Sequence, residues 1–386
     1  MASALALAKQ GYGVTLVDPH HNQPILGAPY DLKTVALTPA SMRLFERIDV
    51  ASKFDHTRLA AFIGMQVWDG DGKGSIDFTA AALNRDCLGT IIEDSNLGRA
   101  LHLAVSNNPL ISRRHAFVAA IELTDRDVHL EFDEGSEALR TRLVLGCDGA
   151  QSPVRSILGI NAESVEYSQH AVVCNVDVER GHGLVARQRF LRNGPIAFLP
   201  LPDADQCAVV WSTSPEEAAA AANATITEFE QMLRSAFANT LGAVTLCSER
   251  AVVPLQKLHA SKYVDGRAIL LGDAAHVVHP LAGQGLNLGL MDAAALAQCL
   301  DKPEAINLEF PGAALRQFER MRRGENLAML SMTDQLNRLF RDSRPLVKLI
   351  RSSGMLWVNR FWPVKHWLML RAMGDVGDVP DLAARR

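Results

Sequence analysis

The run from Ala268 to Asn287 constrains the fold more than any other part of this chain. Its first four residues, Ala268 to Leu271, are all apolar and read as a buried strand that ends at Gly272-Asp273; a glycine-rich loop follows, and a helical stretch begins at Leu286. A carboxylate at the carboxyl end of a strand can hold polyol hydroxyls. Gly283-Gln284-Gly285 leaves backbone N–H groups bare where the helix starts, and such a terminus stabilises negative charge on a bound ring system.

Two further runs belong to the same layer. Leu143 to Cys147 is a continuous apolar strand that turns at Asp148-Gly149, with Ser152, Pro153 and Arg155 close behind. Strands of this kind suit the buried parallel sheet of a nucleotide-binding domain, and Arg155 supplies a fixed cation near phosphate. At the start of the chain, residues 1–10 are strong helix formers, Gly11 stands where a helix C-cap tolerates positive φ, and 14–17 read as a short strand ending in Asp18. Helix, glycine, strand and acid form the second half of a dinucleotide-binding βαβ unit, with Asp18 placed to accept hydrogen bonds from ribose hydroxyls. The first half would be a strand and a G-x-G-x-x-G turn whose third glycine falls just before Met1. The expectation is therefore that Met1 is an internal methionine or a late start, with roughly twenty residues of strand and turn before it.

Composition excludes several function classes. The net charge is -4 and no long Lys/Arg run occurs, so the footprint needed for a phosphate backbone is missing and nucleic acid is not expected as a partner. Six cysteines lie far apart with no metal-ligand spacing; they read as small core residues of a reducing compartment, Cys147 included. No apolar run reaches the roughly 20 residues of a membrane-spanning helix, which points to the cytoplasm with room for peripheral contact with the inner membrane.

Alternation of apolar and polar residues over 67–78 and 118–132 predicts half-exposed strands, and 167–254 again favours strands, interrupted by one helical stretch over 215–237. The chain divides on this reading into a cofactor domain built from 1–70, 88–160 and 256–311, an inserted antiparallel lobe from 71–87 and 161–255, and a mainly helical tail, 312–386. Within the tail, residues 355–371 mix aromatics, aliphatics and cations as interfacial helices do; the same pattern fits a helix packed on its own core, and Pro363 breaks any long amphipathic face.

Together the 272–287 run, the 148–155 run and the opening segment resemble the FAD-dependent aromatic hydroxylases, and among them the ubiquinone-biosynthesis hydroxylases. Leu88 to Glu93, Gln188-Arg189-Phe190, the stretch Gly194 to Leu201, Val210-Trp211-Ser212 and Leu339-Phe340 extend the match over nearly the whole chain. The resemblance implies an α/β, FAD-binding Rossmann-like domain of the para-hydroxybenzoate-hydroxylase type with an interleaved sheet lobe for substrate. It implies a flavin ring beside Pro280 and Gly283, Gln284, Gly285, Leu286 and Asn287, with Gly272-Asp273 on the ribitol, Asp18 on the adenosine ribose, and Lys33, Asp148, Gly149 and Arg155 completing the cofactor set. Lys33 stands where the family usually has arginine, which keeps the charge and loses the planar fork.

The chemistry implied is oxygen transfer from a flavin C4a-hydroperoxide to an electron-rich phenol, here a polyprenylated phenol or benzoquinol facing Phe198, Leu199 and Pro200. Electrons would come from NAD(P)H or a redox partner protein, since no second G-x-G-x-x-G marks a nicotinamide domain. Neither His276 nor His279 stands out as a general base; both read as residues that order their loop. Rival readings are a hydroxylase or halogenase of another aromatic metabolite, and a catalytically silent scaffold subunit of a quinone-synthesis complex.

Overall fold

A computed structural model describes residues 1–20, 24–133, 137–301 and 311–385. The opening helix, Ala2–Lys9, is buried on every side through Ala4, Leu5, Ala6, Leu7 and Ala8, a run of alanine and leucine alone. It ends at Gly11, whose φ of 91° is open to glycine at no steric cost. The strand Val14–Val17 then pairs in parallel with Ile111–Arg114, and Val144–Gly146 pairs in parallel with Ala268–Leu270. One apolar core joins these pairs to the opening helix, to the helices Asp94–Ser106 and Gly285–Cys299, and to the start of the long tail helix Gly312–Arg341.

The inserted lobe is a nine-stranded sheet. Its main path runs His276–Val277, Ala251–Ala260, Ala162–Val178, Gln206–Thr213, Gly194–Pro200, Val185–Leu191, Gly64–Asp69 and Ser75–Thr79. All neighbours on this path are antiparallel except Val185–Leu191 with Gly64–Asp69, which run parallel, as the long stretch of chain between them permits. The hairpin 64–79 belongs whole to this sheet, so a division at residue 70 falls inside it. One face of the sheet packs under helices that the sequence reads as a single stretch over 215–237. They are two, Pro215–Asn223 and Ile226–Ala236, because Thr225 and Glu228 form a reciprocal capping box that starts a new helix.

The opposite face receives the tail. Asn337 Nδ2 donates to Gln169 Oε1 at 2.9 Å, and Phe340 stacks on Phe190 at 3.8 Å between ring centroids. The long tail helix therefore spans from the cofactor-domain core, where Leu315 and Phe318 are buried, to the sheet. Two shorter helices, Pro345–Arg360 and Trp362–Ala372, follow it.

Candidate active site

Three carboxylates stand at the carboxyl ends of parallel strands: Asp18 after Val14–Val17, Asp148 after Val144–Gly146, and Asp273 just beyond Ala268–Leu270. This is the edge at which α/β sheets hold ligands. Asp273 keeps its carboxylate open to solvent, yet the protein around it thins the water enough to raise its pKa, with His276 and Lys33 pulling part of the way back. Lys33 is exposed, 3.1 Å from Asp94, so the positively charged head lies within electrostatic reach of Asp273.

The turns that carry these acids are braced against each other. Arg155 donates from Nη1 to the carbonyl of Ala274 at 2.9 Å and from Nη2 to that of Ala150 at 2.8 Å. Its guanidinium thus staples the 148–152 turn to the 272–274 turn, which fixes its positive charge at this edge of the sheet. Asp148 accepts from the N–H of Val154 at 2.9 Å and remains exposed. Gly149 has φ of 85°, and a Cβ added there would meet nothing within 4 Å, so the backbone lies bare toward open space. Cys147, expected in the core, is exposed: the strand has ended at Gly146 and the chain has already turned out toward this edge.

The glycine loop is held from behind. Gly283 adopts φ of 58° against Ala36, and the side chain of Asn287, 3% exposed, is fully engaged inward. Its Oδ1 accepts from Thr38 N at 3.0 Å and Ser41 Oγ at 2.7 Å, while Nδ2 donates to the carbonyls of Ala36 at 2.8 Å and Gly283 at 3.0 Å. All four hydrogen-bonding positions of its amide are used, so Asn287 shapes the loop and offers a ligand nothing from its side chain. Gly285 and Leu286 are half-exposed residues at the head of a 15-residue helix without a side-chain cap, where N–H groups have no intrahelical acceptor.

A residue set not legible as a site locks this arrangement. Asp292, buried in the helix Gly285–Cys299, accepts from the backbone of Gly272 at 3.1 Å, His276 Nε2 at 2.6 Å, Arg322 Nε at 2.7 Å and Asn326 Nδ2 at 3.1 Å. Burial alone would push its carboxyl up; the neighbouring His276 and Arg322, which also donate hydrogen bonds to it, outweigh that and hold it far below the usual range. The sequence signal was a lone acid inside the otherwise apolar stretch Leu290 to Leu296.

His279 is the second buried histidine of the loop. Its Nε2 donates to Gln169 Oε1 at 3.2 Å and its ring meets the Tyr167 ring edge-on, 4.8 Å away. Burial lowers its pKa to about 4, so it is neutral at pH 7. Folded protein then refuses a proton that the unfolded chain takes up below about pH 6.5, and the stability His279 contributes is complete above that pH and lost as pH falls toward about 4. We expect wild type to lose up to about 3 kcal/mol more than His279→Gln over this window. Urea unfolding at stepped pH measures it; parallel curves for the two proteins would refute the assignment.

Of the three residues expected to face substrate, the structure keeps only Leu199 on the side of this loop. Phe198 is 1% exposed and stacks on Phe237 at 3.9 Å, in the core under the two lobe helices, and Pro200 points the same way because side chains alternate along a strand. Leu199 and Ala197 share the face of Val210, which packs with Tyr167 beside His279. Leu281 of the loop is buried with Phe190, Phe340 and Met355, closing an apolar seam between loop, sheet and tail.

These features fit a flavin dinucleotide: acids at strand ends, a bare glycine turn between them, and a helix start without a side-chain cap beside an apolar wall. A family model described as an FAD binding domain matches residues 1–306. Ubiquinone hydroxylase UbiL of Rhodospirillum rubrum is 33% identical over 376 residues, covering 97% of this chain and 86% of its own length. The 3-demethoxyubiquinol 3-hydroxylase of Escherichia coli strain K12 is 31% identical over 383 residues, covering 97% and 95%. The crystal structure of p-nitrophenol 4-monooxygenase PnpA from Pseudomonas putida superposes with a TM-score of 0.75 at 20% identity, covering 96% of this chain and 94% of that one, and shares the fold. The chain is an FAD-dependent monooxygenase and belongs to the aromatic hydroxylase family that includes the ubiquinone-biosynthesis hydroxylases.

Proposed function

We propose that this chain hydroxylates the aromatic ring of a polyprenylated phenol or benzoquinol, with molecular oxygen and with electrons from NAD(P)H or a redox partner protein. The names of the two relatives supply the substrate class, and the observation that carries the reading to this chain is the apolar seam beside the uncapped helix terminus. FAD, when bound, supplies the activation of oxygen. Asp18 and Asp273 would accept hydrogen bonds from its sugar and polyol hydroxyls, and the bare backbone at Gly149 lets the dinucleotide approach closely. The N–H groups of Gly285 and Leu286 stabilise negative charge beside the loop without reorganising, since Asn287 already holds the loop in place. Leu281, Phe190 and Phe340 exclude water, and Leu199 offers an apolar contact for the substrate ring or its tail.

The direct test is incubation of purified protein with a short-chain prenylphenol and, separately, with hydrophilic phenols, with product mass and NAD(P)H oxidation followed together. A product one oxygen atom heavier from the prenylphenol alone supports the reading. Turnover of hydrophilic phenols only would move the chain to another aromatic metabolite, and capture of quinone-synthesis subunits by a flavin-free, inactive protein would move it to a scaffold. Gly149→Val places a branched side chain at φ of 85°, in the space the backbone leaves bare. We expect flavin occupancy to fall by roughly tenfold or more with the far-ultraviolet circular dichroism retained; an unchanged visible spectrum would take Gly149 out of the cofactor cleft.

A further inference from the structure

We propose that the last two helices, Pro345–Arg360 and Trp362–Ala372, form a face that docks on an anionic lipid bilayer. The first of them buries Arg351 and Met355 against the sheet and turns Leu346, Leu349, Ile350 and Trp357 outward at 67%, 66%, 60% and 55% exposure. Leu346, Ile350, Trp357 and Phe361 recur at helical spacing, so the outward apolar residues make one stripe rather than scattered points. Phe361 stacks on Trp357 at 4.9 Å, and Trp362 and Trp367 carry the stripe into the second helix, both about half exposed. Three of the chain's five tryptophans thus stand at the surface of one short segment. A contiguous exposed apolar patch of this kind marks an interaction surface.

Charge selects the partner. From Ser343 to Gly374 the chain has no Asp or Glu and six Lys or Arg, in a protein whose net charge is -4. Arg344, Lys348, Arg351 and Arg371 are paired with acids outside the segment, Asp342, Asp71, Asp69 and Glu325. Arg360, which is exposed, and Lys365, which donates to Asn359 at 2.9 Å, have no ion pair among the described residues, so the patch carries two cations without a counter-charge. Aromatic side chains at the border of apolar and polar regions, aliphatic residues between them and cations at the rim are what an interfacial helix pair presents to acidic headgroups. Among the described residues no helix is long and apolar enough to cross a membrane, so the contact is peripheral. The purpose of docking, delivery of a lipid-tailed phenol to the seam at Leu281, rests on the proposed function; the docking itself does not.

Vesicles free of any quinone or phenol test it. The full chain, purified with its flavin, is mixed with phosphatidylglycerol–phosphatidylcholine vesicles or with phosphatidylcholine alone, and binding is read by co-sedimentation and by the blue shift of tryptophan emission. We expect binding to the acidic vesicles, weaker binding to the neutral ones, and at least a roughly tenfold loss of partitioning in Leu349→Glu/Ile350→Glu/Trp357→Glu. The flavin spectrum and turnover of a short-chain, water-soluble phenol should be unchanged in that variant, which separates failed docking from failed chemistry. No sedimentation of wild type with acidic vesicles overturns the proposal, as does concentration-dependent self-association by the same face without vesicle binding.

Discussion

Asp292→Asn should cost about 3–5 kcal/mol of folding stability, the range seen when one partner of a buried ion pair is removed. The carboxylate accepts four hydrogen bonds from four donors, two of which, on His276 and Arg322, approach within 2.7 Å. Asparagine keeps the volume but turns one accepting oxygen into a donor facing donors, and it leaves Arg322 as a buried cation without a counter-charge. Against a typical total of about 5–15 kcal/mol, a loss of this size is a large fraction. Urea unfolding followed by fluorescence gives the change directly. Because Gly272 loses its acceptor, the Asp273 turn should loosen and bound flavin should fall alongside stability. The same carboxylate makes the wild type acid-sensitive: its folded pKa is depressed, so its contribution is complete above the ordinary Asp value near 3.9 and lost as pH falls below it. A midpoint within about 0.5 kcal/mol of wild type, the scatter of an ordinary surface substitution, would show that the cluster does not hold the loop.

That cluster also marks where the sequence stopped being legible. Asp273, Gly272, Gly149 and Gly283 could be read in advance because each answers a local demand, an acid at a strand end or a backbone with positive φ. Asp292 meets Arg322 and Asn326 only after 30 and 34 residues of intervening chain have folded back, and no local pattern records that meeting. The same limit explains Arg155 and Asn287. Their positions in the cleft followed from motif spacing, but whether a polar side chain points at the ligand or braces the loop depends on carbonyls contributed by Ala274 and Ala36. Phe198 failed for another reason. The stretch 196–201 is apolar at every position, so its alternation carries no information about which face meets the cleft, and a one-residue shift exchanges the faces. The helix break at Thr225, by contrast, was written locally in Thr225 and Glu228 three residues on.

Arg351→Met should undock the tail at a similar cost, about 3–5 kcal/mol, and the double variant Asp69→Leu/Arg351→Met should recover a large part of it. Arg351 and Asp69 form a two-pronged pair, Nε to Oδ2 and Nη2 to Oδ1, each at 2.8 Å, with both side chains at 1% exposure or less. The remaining guanidinium nitrogen donates to the carbonyl of Phe340 at 2.7 Å, at the end of the long tail helix where carbonyls lack partners of their own. One side chain therefore joins the hairpin 64–79, the long helix and the helix that follows it. Methionine fills the stem's volume but strands the Asp69 charge, and that stranded charge accounts for most of the expected loss. Leucine at 69 removes the charge, so the double variant tests whether the penalty belongs to the unpaired carboxylate or to lost packing. If packing dominates, the double variant should be no better than the single one. The functional consequence runs through Leu281, which is packed with Phe190, Phe340 and Met355 in the seam that Arg351 closes. In the single variant the segment after Arg341 should become cleavable by dilute protease, and turnover should uncouple, with NAD(P)H consumed faster than phenol is hydroxylated because water reaches the loop. Protease resistance and coupling equal to wild type would show that the tail is held by its apolar contacts alone.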